Sequence, residues 1–504
     1  MVLLFIKGTG KSNSIRVMLL TRNKLVAIAV FLWCTIQLSC TRKWDDHNKS
    51  NDDDLTQNLY EKIAGDESLS KFASYLEKTG YADTLQSTRS FTVWAPTNDA
   101  LQSIDAAISG DADKLKKFVA HHIARLSYYT SQVQSAPLRL PLMDSKYVIF
   151  KQSSFEEATI NSKDRLAANG VLHTITAPAA PVGNSWNYID SLKAGSNNMA
   201  SYLRSLTYQY FDSTKAVQIG IDPLTGQPVY QPGTGLVSRN AFLDNVYDIN
   251  NEAKEYTVFI MNNTTWDKER AKLDTFYKTG GVDTTLSLAR YSTAKDMVIE
   301  GAFAPDQLPD SVQSKFGVWV PINKLAIAAK YRTSNGYVYV MNDMNVKLRQ
   351  RIMPYLVQGE NYSGTSNGSG SPLFVRTLVN PNNGQTFKDL FVYSHGVNKW
   401  YVRYRIYGVF TTKYKVYWAT YNNRFNNTLN QRLAIGTSTF ASFPYRNVVY
   451  NVYNEEYLGD YPVTTYGNGY LDLYLVSADI APSSSNMNQN AMFLDYIRLE
   501  PVIQ

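Results

Sequence analysis

Cysteine is nearly absent from this chain. Among 504 residues only Cys34 and Cys40 occur, close together near the start. Two such residues cannot form the disulfide framework of a small secreted domain. Histidine is scarce as well, at five. No HExxH or CxxC pattern occurs, which excludes the zincin site and the redox dithiol. The one GxSxG match, GTSNG (364–368), lies in a Gly/Ser-rich stretch rather than between a strand and a helix, as a nucleophile elbow requires. GTGKS (8–12) lacks the first glycine of a phosphate loop, since Phe5 stands there. Charged residues make up only 18%. Five of the 50 basic residues and no acidic one precede Cys40, so without that segment the formal balance falls from +7 to +2. No basic stripe marks a domain face, so nucleic acid is not an expected partner. Tyrosine is abundant: there are 36, and aromatics reach 13%. That composition belongs to globular, tyrosine-rich chains rather than disordered ones. The length after Cys40 suggests about three domains.

The start of the chain reads as a targeting segment. Arg22 and Lys24 precede the apolar run LVAIAVFLW (25–33), a basic region followed by a hydrophobic stretch too short for a comfortable span. The run ends in Leu38-Ser39-Cys40, which resembles a bacterial lipobox, with Gln37 as a departure from its aliphatic preference. The resemblance implies a signal segment over 1–39 (Met18 is an alternative start), lipidation of Cys40, and a tether over 40–53. Several acyl chains on one cysteine would anchor the chain durably. The stretch TRKWDDH, with Asp45 and Asp46, resembles the acidic signal that sends Bacteroidetes lipoproteins to the outer face of the outer membrane. An ordinary secretory signal or membrane anchor, followed by a solvated linker, is the plainer alternative.

Residues 55–81 carry apolar side chains at helical spacing: Leu59, Ile63, Leu69, Phe72 and Leu76. FTVW (91–94) then reads as a strand stopped by Pro96, with Thr97 or Asn98 placed to cap a helix after it. DKLKKFVAHHIAR (113–125) reads as a second amphipathic helix. NGVLHTITAPAAP (169–181) reads as a glycine turn into an alternating strand. The box Pro96-Thr97-Asn98-Asp99 and the box Asn169-Gly170-Val171-Leu172-His173 resemble the two signature boxes of the fasciclin (FAS1) domain. His122 matches the family histidine between them, and His121 replaces its tyrosine. The resemblance covers residues 54–182 and implies a wedge of β-sheet with a helical layer. It also implies structural roles for His122 and His173.

The pattern recurs in weaker form over 185–350. YTVFIMNN (256–263) parallels FTVWAPTN, with Asn262 or Asn263 in the place of Asn98, and SNGYVYVM (334–341) parallels the second box, with Gly336 and Tyr339 in the places of Gly170 and His173. This implies a second, divergent FAS1 module. The turn sequence DPLTGQP (222–228) predicts a projecting hairpin inserted near 213–255. A Gly/Ser-rich linker occupies 359–371. Residues 372–504 then alternate with period two in WYVRYRIYGVF, KYKVYWATY and YLDLYLVS, which predicts an antiparallel β-sandwich. NAMFLDYIRLEPV (490–502) resembles the closing strand of carbohydrate-binding jelly rolls. The expected fold class is therefore multidomain, α+β and all-β: two FAS1-like α+β domains followed by an antiparallel β-sandwich.

Chemistry is thin. Adjacent His121 and His122 would point apart on a helix, so no metal pair is expected. Asp472 and Asp495 offer a carboxylate pair for a glycosidase, or structural ion ligands, but neither stands in a recognisable site. The aromatics carry more. Tyr401, Arg403, Arg405 and Tyr407 share one face of a strand, with Trp418 on a neighbouring one. Such a row can stack on sugar rings, although aromatics also fill sheets for packing alone. These residues are the candidate ligand face; no catalytic residue, metal or cofactor is expected. The expected function is non-catalytic binding of glycan or protein at the cell surface, in adhesion or as an accessory to outer-membrane glycan uptake. FAS1-mediated adhesion with the sandwich as spacer is the second reading, and a glycoside hydrolase the third. Cys40→Ser is expected to abolish labelling by an alkyne-tagged palmitate in the native host and to shift the protein out of the membrane fraction. Labelled variant protein would overturn the anchor.

Overall fold

The computed structural model describes residues 55–503 except 105, 367–372, 396, 440, 467, 468 and 481–488. The expected signal segment, Cys40 and the tether to residue 53 lie outside the described residues. The chain divides into two compact units, Met1–Pro181 and Val182–Gln504.

In the first unit, side-chain caps start the helices. Asn58 and Glu61 cap each other's backbone at Leu59–Ala64, and Asp111 caps Ala112–Ala120. Ser70–Thr79 ends at Gly80, whose φ of 75° is left-handed. The helices bury Leu59, Phe72, Leu76 and Phe118 against Phe91, Val93 and Leu172. Trp94, Phe150, Phe155 and Ile175 form a second cluster. The strand Phe91–Pro96 is covered on both faces and all six of its residues are buried, which is why it reads as a continuous run without alternation. It pairs antiparallel with Ile123–Arg125 and parallel with Gly170–Ile175, within a seven-stranded sheet. The helix expected over 113–125 therefore stops at Ala120. His122 O accepts from Trp94 N at 3.0 Å, and this sheet bond captures the chain that helix propensity alone would have continued.

The corner before Gly170 is tightly specified. Asn169 Oδ1 accepts from Leu59 N at 2.9 Å, and its Nδ2 donates to Leu85 O and Ser87 O, both at 2.7 Å. Gly170 has φ of 153°, and a Cβ there would stand 1.9 Å from Phe91 O.

The second unit repeats this arrangement. Tyr256–Met261 pairs parallel with Gly336–Met341 and antiparallel with Val298–Glu300. Asn335 Oδ1 accepts from Ser185 N at 2.9 Å, while its Nδ2 donates to Ile249 O and Asn251 O. A Cβ on Gly336 would lie 1.8 Å from Tyr256 O. Thr92 Oγ1 donates to Leu126 O and accepts from Tyr128 N. Thr257 Oγ1 treats Gly301 O and Phe303 N in the same way. His173 Nε2 donates to Tyr128 O at 3.0 Å, and the Tyr339 hydroxyl donates to Phe303 O at 2.7 Å. One donor has thus been exchanged for another at the same register position. The registers also settle which asparagine matches Asn98. Pro96 and Met261 both end their strands, so Asn98 corresponds to Asn263 rather than to Asn262. Asn263 holds Asn198 N at 2.8 Å as Asn98 holds Lys71 N at 2.9 Å. Asn262 instead caps Thr265 N, the part that Thr97 plays for Ala100 N.

The inserted hairpin is a two-step ribbon. Thr207–Phe211 pairs with Leu236–Asn240, and beyond it Gln218–Ile221 pairs with Pro228–Tyr230. It spans 207–240 rather than 213–255, because a helix starts at Ala241.

The all-β part consists of antiparallel sheets around Trp400, Tyr404, Tyr414, Trp418 and their neighbours. It begins earlier than expected. Tyr355–Gln358 pairs with Tyr496–Pro501, and Gly364–Thr365, inside the stretch expected as a linker, pairs with Val402 and Arg403. The sandwich also shares a core with the preceding module. Phe276, Tyr277 and Ile352 pack with Phe410 and Tyr466, and Phe276 O accepts from Thr411 N at 2.8 Å. Beneath them Arg351 is almost fully buried, 2.9 Å from Asp296 and 3.8 Å from Glu269. Removing one partner of such a group typically costs about 3–5 kcal/mol.

Burial pushes the His122 ring down to about 3. Its Nδ1 donates to Phe118 O and its Nε2 accepts from Ala179 N, which fixes the neutral form. The unfolded chain takes up this proton near 6.5, so the contribution is fully present above that pH and is lost as pH falls toward 3. The slope is roughly 1.4 kcal/mol per pH unit for one proton. Unfolding midpoints of the first unit should therefore drop between pH 6.5 and 4, and His122→Gln should flatten that dependence.

Candidate functional site

The site is built on the strand Tyr401–Tyr407. Trp400, Val402, Tyr404 and Ile406 turn into the sandwich core. Tyr401, Arg403, Arg405 and Tyr407 occupy the opposite face, because side chains alternate along a strand. Antiparallel pairing with Tyr470–Ser477 sets Tyr474 opposite Arg403, Asp472 opposite Arg405 and Tyr470 opposite Tyr407. The result is a cross-strand lattice of tyrosine, arginine and aspartate.

Its charges are held in place. Arg405 Nε and Nη2 donate to the two oxygens of Asp472 at 2.7 and 2.8 Å, a forked geometry that fixes the guanidinium plane. The same guanidinium lies 3.7 Å from the Tyr470 ring centroid. The Arg405 hydrogen bond draws the Asp472 carboxyl below its ordinary range, so it stays ionised. Arg403 Nε and Nη2 donate to the hydroxyl and carbonyl of Ser363, both at 3.3 Å. Each guanidinium keeps one Nη1 with no hydrogen-bond partner among the described residues. Tyr401 and Tyr474 meet at 5.2 Å and 83°. Tyr407 and Tyr470 remain 68% and 47% exposed. Chemically, the face offers two accessible rings, pre-positioned N–H donors and an anchored carboxylate. That combination suits stacking on the C–H face of a pyranose and bonding its hydroxyls.

Trp418 does not belong to this face. It is 1% exposed and packs in the core with Tyr414 and Val416, because KYKVYWATY turns those three inward. Its Nε1 donates to Glu456 at 3.3 Å. Conversely, Tyr470, Asp472 and Tyr474 were not expected on the platform. Their mutual alternation is visible in YLDLYLVS, but the strand they pair with is not.

The remaining predicted residues are structural in placement. Asn98 Nδ2 donates to Glu67 O at 2.8 Å, and Asp99 accepts from the Gln102 amide at 3.1 Å. The four described histidines all have partners. His121 meets Asp144 at 2.6 Å, and His395 donates to Asn490 O and stacks on Trp400. Asp472 and Asp495 do not face each other as a pair. Asp472 lies in the sheet of Tyr401–Tyr407, whereas Asp495 precedes the strand Tyr496–Pro501 and accepts from the Tyr453 hydroxyl at 2.6 Å.

Comparison with known proteins bears on the first unit most directly. Residues 67–181 match the family model of the Fasciclin domain. Protein sll1483 of Synechocystis sp. is 28% identical over 138 residues, which is 25% of this chain and 76% of that protein. The FAS1 domain pair from the insect cell adhesion molecule Fasciclin I is 14% identical, covering 56% of this chain and 99% of that one, with a TM-score of 0.23. The CBM36-1 domain of a multidomain xylanase from the hindgut metagenome of Trinervitermes trinervoides is 17% identical, covering 30% and 98%, with a TM-score of 0.21.

The two aromatic sets should separate by stability. Trp418→Ala is expected to cost about 3–5 kcal/mol as a core truncation, and Tyr407→Ala less than about 0.5 kcal/mol as a surface change. Denaturant unfolding of both variants checks this.

Proposed function

We propose that this chain is a non-catalytic binding protein of the cell surface, in which the fasciclin domain of residues 67–181 is followed by a divergent second FAS1 module and a sandwich that captures glycan. Lipidation at Cys40 tethers it to the outer membrane, facing outward, where it would serve adhesion or assist a glycan-uptake system. The repeated asparagine-glycine corner and the repeated threonine bridge support the second module. The observation that carries the glycan reading is the solvent-facing row of Tyr407, Arg405 and Tyr470. Its rings are exposed, and its guanidinium is already fixed by Asp472. A site whose donors are held before the ligand arrives loses less side-chain freedom on binding.

Adhesion to a protein is the second reading, and the ribbon at 207–240 favours it. Val217, Ile219, Ile221 and Leu224 are 51–94% exposed there, an apolar concentration that marks interaction surfaces.

Glycan-array binding by the purified chain discriminates the readings. Tyr407→Ala with Tyr470→Ala is expected to weaken platform-bound glycans by about tenfold or more, while replacing 213–234 by a short glycine turn leaves them unaffected. Loss of host-surface attachment in the ribbon variant alone, with no glycan bound by wild type, would replace the first reading by the second.

A further inference from the structure

A second concave surface lies elsewhere on the sandwich, away from the tyrosine-arginine platform. It is an open cleft of about 630 Å³, within the range of ligand sites. One wall is the turn between Leu373–Val379 and Thr386–Val392. The other is built by Tyr453, Asn454 and Tyr496, with Gln358 on the edge strand.

The turn is held in a single shape. Asn380 N donates to Gln385 O at 2.8 Å, and Gly384 N donates to Asn380 O at 2.9 Å. Asn380 Oδ1 holds Asn382 N, and Asn383 Oδ1 holds Gln385 N, both at 2.9 Å. Asn382 Nδ2 reaches across to Tyr453 O at 3.1 Å and pins the turn to the neighbouring strand. The side-chain amides of Gln358 and Asn454 make no hydrogen bond among the described residues. A primary amide both donates and accepts, as a sugar hydroxyl does.

The charges of the cleft are largely cancelled. Arg498 donates to both oxygens of Glu455 at 2.8 and 2.9 Å, and Tyr496 adds a bond to the same carboxylate. Asp495, 4% exposed at the floor, accepts from the Tyr453 hydroxyl. Burial raises its carboxyl to about 6, so it stays mostly ionised at neutral pH. Lys388 remains as a single cation in the lining. Ring surface is supplied by Tyr453, packed at 5.1 Å against Phe387. A peptide groove would need apolar pockets for alternate side chains, and amides and rings dominate here instead.

We propose that this cleft is a second ligand site and that its ligand is a neutral oligosaccharide. The rigid asparagine turn and the free amides of Gln358 and Asn454 read the hydroxyls, and Tyr453 and Tyr496 border the sugar rings. It shares no residue with the platform, so the two sites are separable by mutation. Two sites on one anchored chain would retain a polysaccharide by effective concentration, without either site being tight.

The test uses the full chain with Tyr407→Ala and Tyr470→Ala, which silences the platform. It is probed with hexasaccharides of β-1,4-glucan, β-1,4-xylan, β-1,4-mannan, β-1,3-glucan and α-1,4-glucan, with oligogalacturonate as the acidic control and a random peptide library as the protein control. At least one neutral hexasaccharide is expected to bind. Adding Asn454→Ala and Gln358→Ala should weaken it by about tenfold while leaving the unfolding midpoint within a few degrees. Tyr496→Phe, which keeps the ring, should retain binding. Binding of none of the five, of the acidic oligomer alone, or of peptides in preference would overturn the site. So would equal affinity after loss of the two amides. Failure of the platform in wild type, with binding retained here, would instead remove the glycan-stacking role of Tyr407 and Tyr470 and leave this site standing.

Discussion

A buried asparagine at the start of a parallel strand is the constraint on which both α+β modules rest. Where the chain enters Gly170–Ile175, three backbone groups from distant segments converge: the buried amide of Leu59, the buried carbonyl of Leu85 and the partly buried carbonyl of Ser87. Asn169 satisfies all three. Left unmet, each would cost about 1–3 kcal/mol. The glycine after it lets the backbone approach Phe91 O more closely than any side chain would allow. The first helix, the segment Leu85–Ser87 and the central strand pair are thereby fixed to one another through a single side chain. Asn335 and Gly336 solve the same problem in the second unit, with Ser185, Ile249 and Asn251 as the groups to be met.

The second unit adds a different kind of bond. Its module and the sandwich are joined by an aromatic cluster lying over a buried ionic group, in which Arg351 faces Asp296 and Glu269. At the register position that Asp296 holds, the first unit has His121, paired with Asp144. One polar slot is thus filled by a local pair in the first unit and, in the second, by an arginine on the segment leading into the sandwich. Buried ion groups contribute little net stability against an apolar alternative, but they penalise misplacement strongly. The contacts that reach the sandwich itself are the aromatic cluster and the Thr411 N–H, which donates to Phe276 O.

On the platform, side chains that a sequence offers as free donors are already engaged. Arg405 is forked onto Asp472 and stacked on Tyr470, and Arg403 is tied to Ser363. What remains for a ligand is one nitrogen of each guanidinium and the exposed parts of Tyr407 and Tyr470. This favours a ligand recognised by shape and hydroxyl geometry over one attracted by charge. The cleft with the Asn380–Gln385 turn reaches a similar result by other means, with amides in place of arginines and an ion pair that neutralises its own carboxylate.

By itself the sequence determined whatever depends on near neighbours. Period-two alternation in WYVRYRIYGVF put Tyr401, Arg403, Arg405 and Tyr407 on one face, because a strand reverses its side chains at every residue. The asparagine-glycine boxes marked both parallel strands, because only glycine fits against the neighbouring carbonyl. The turn DPLTGQP marked the ribbon, although its base at Thr207 and Asn240 did not show. Only the tertiary structure decided what depends on distant pairing. Strand formation at Ile123–Arg125 required Phe91–Val93 alongside. The choice of Asn263 over Asn262 required the register of two strands. Trp418 went to the core and Tyr470 to the platform because of which sheet each strand joined. Asn380, Tyr453 and Tyr496, far apart in the chain, became one cleft for the same reason: hydrogen-bonded sheets bring together residues whose proximity no local pattern records.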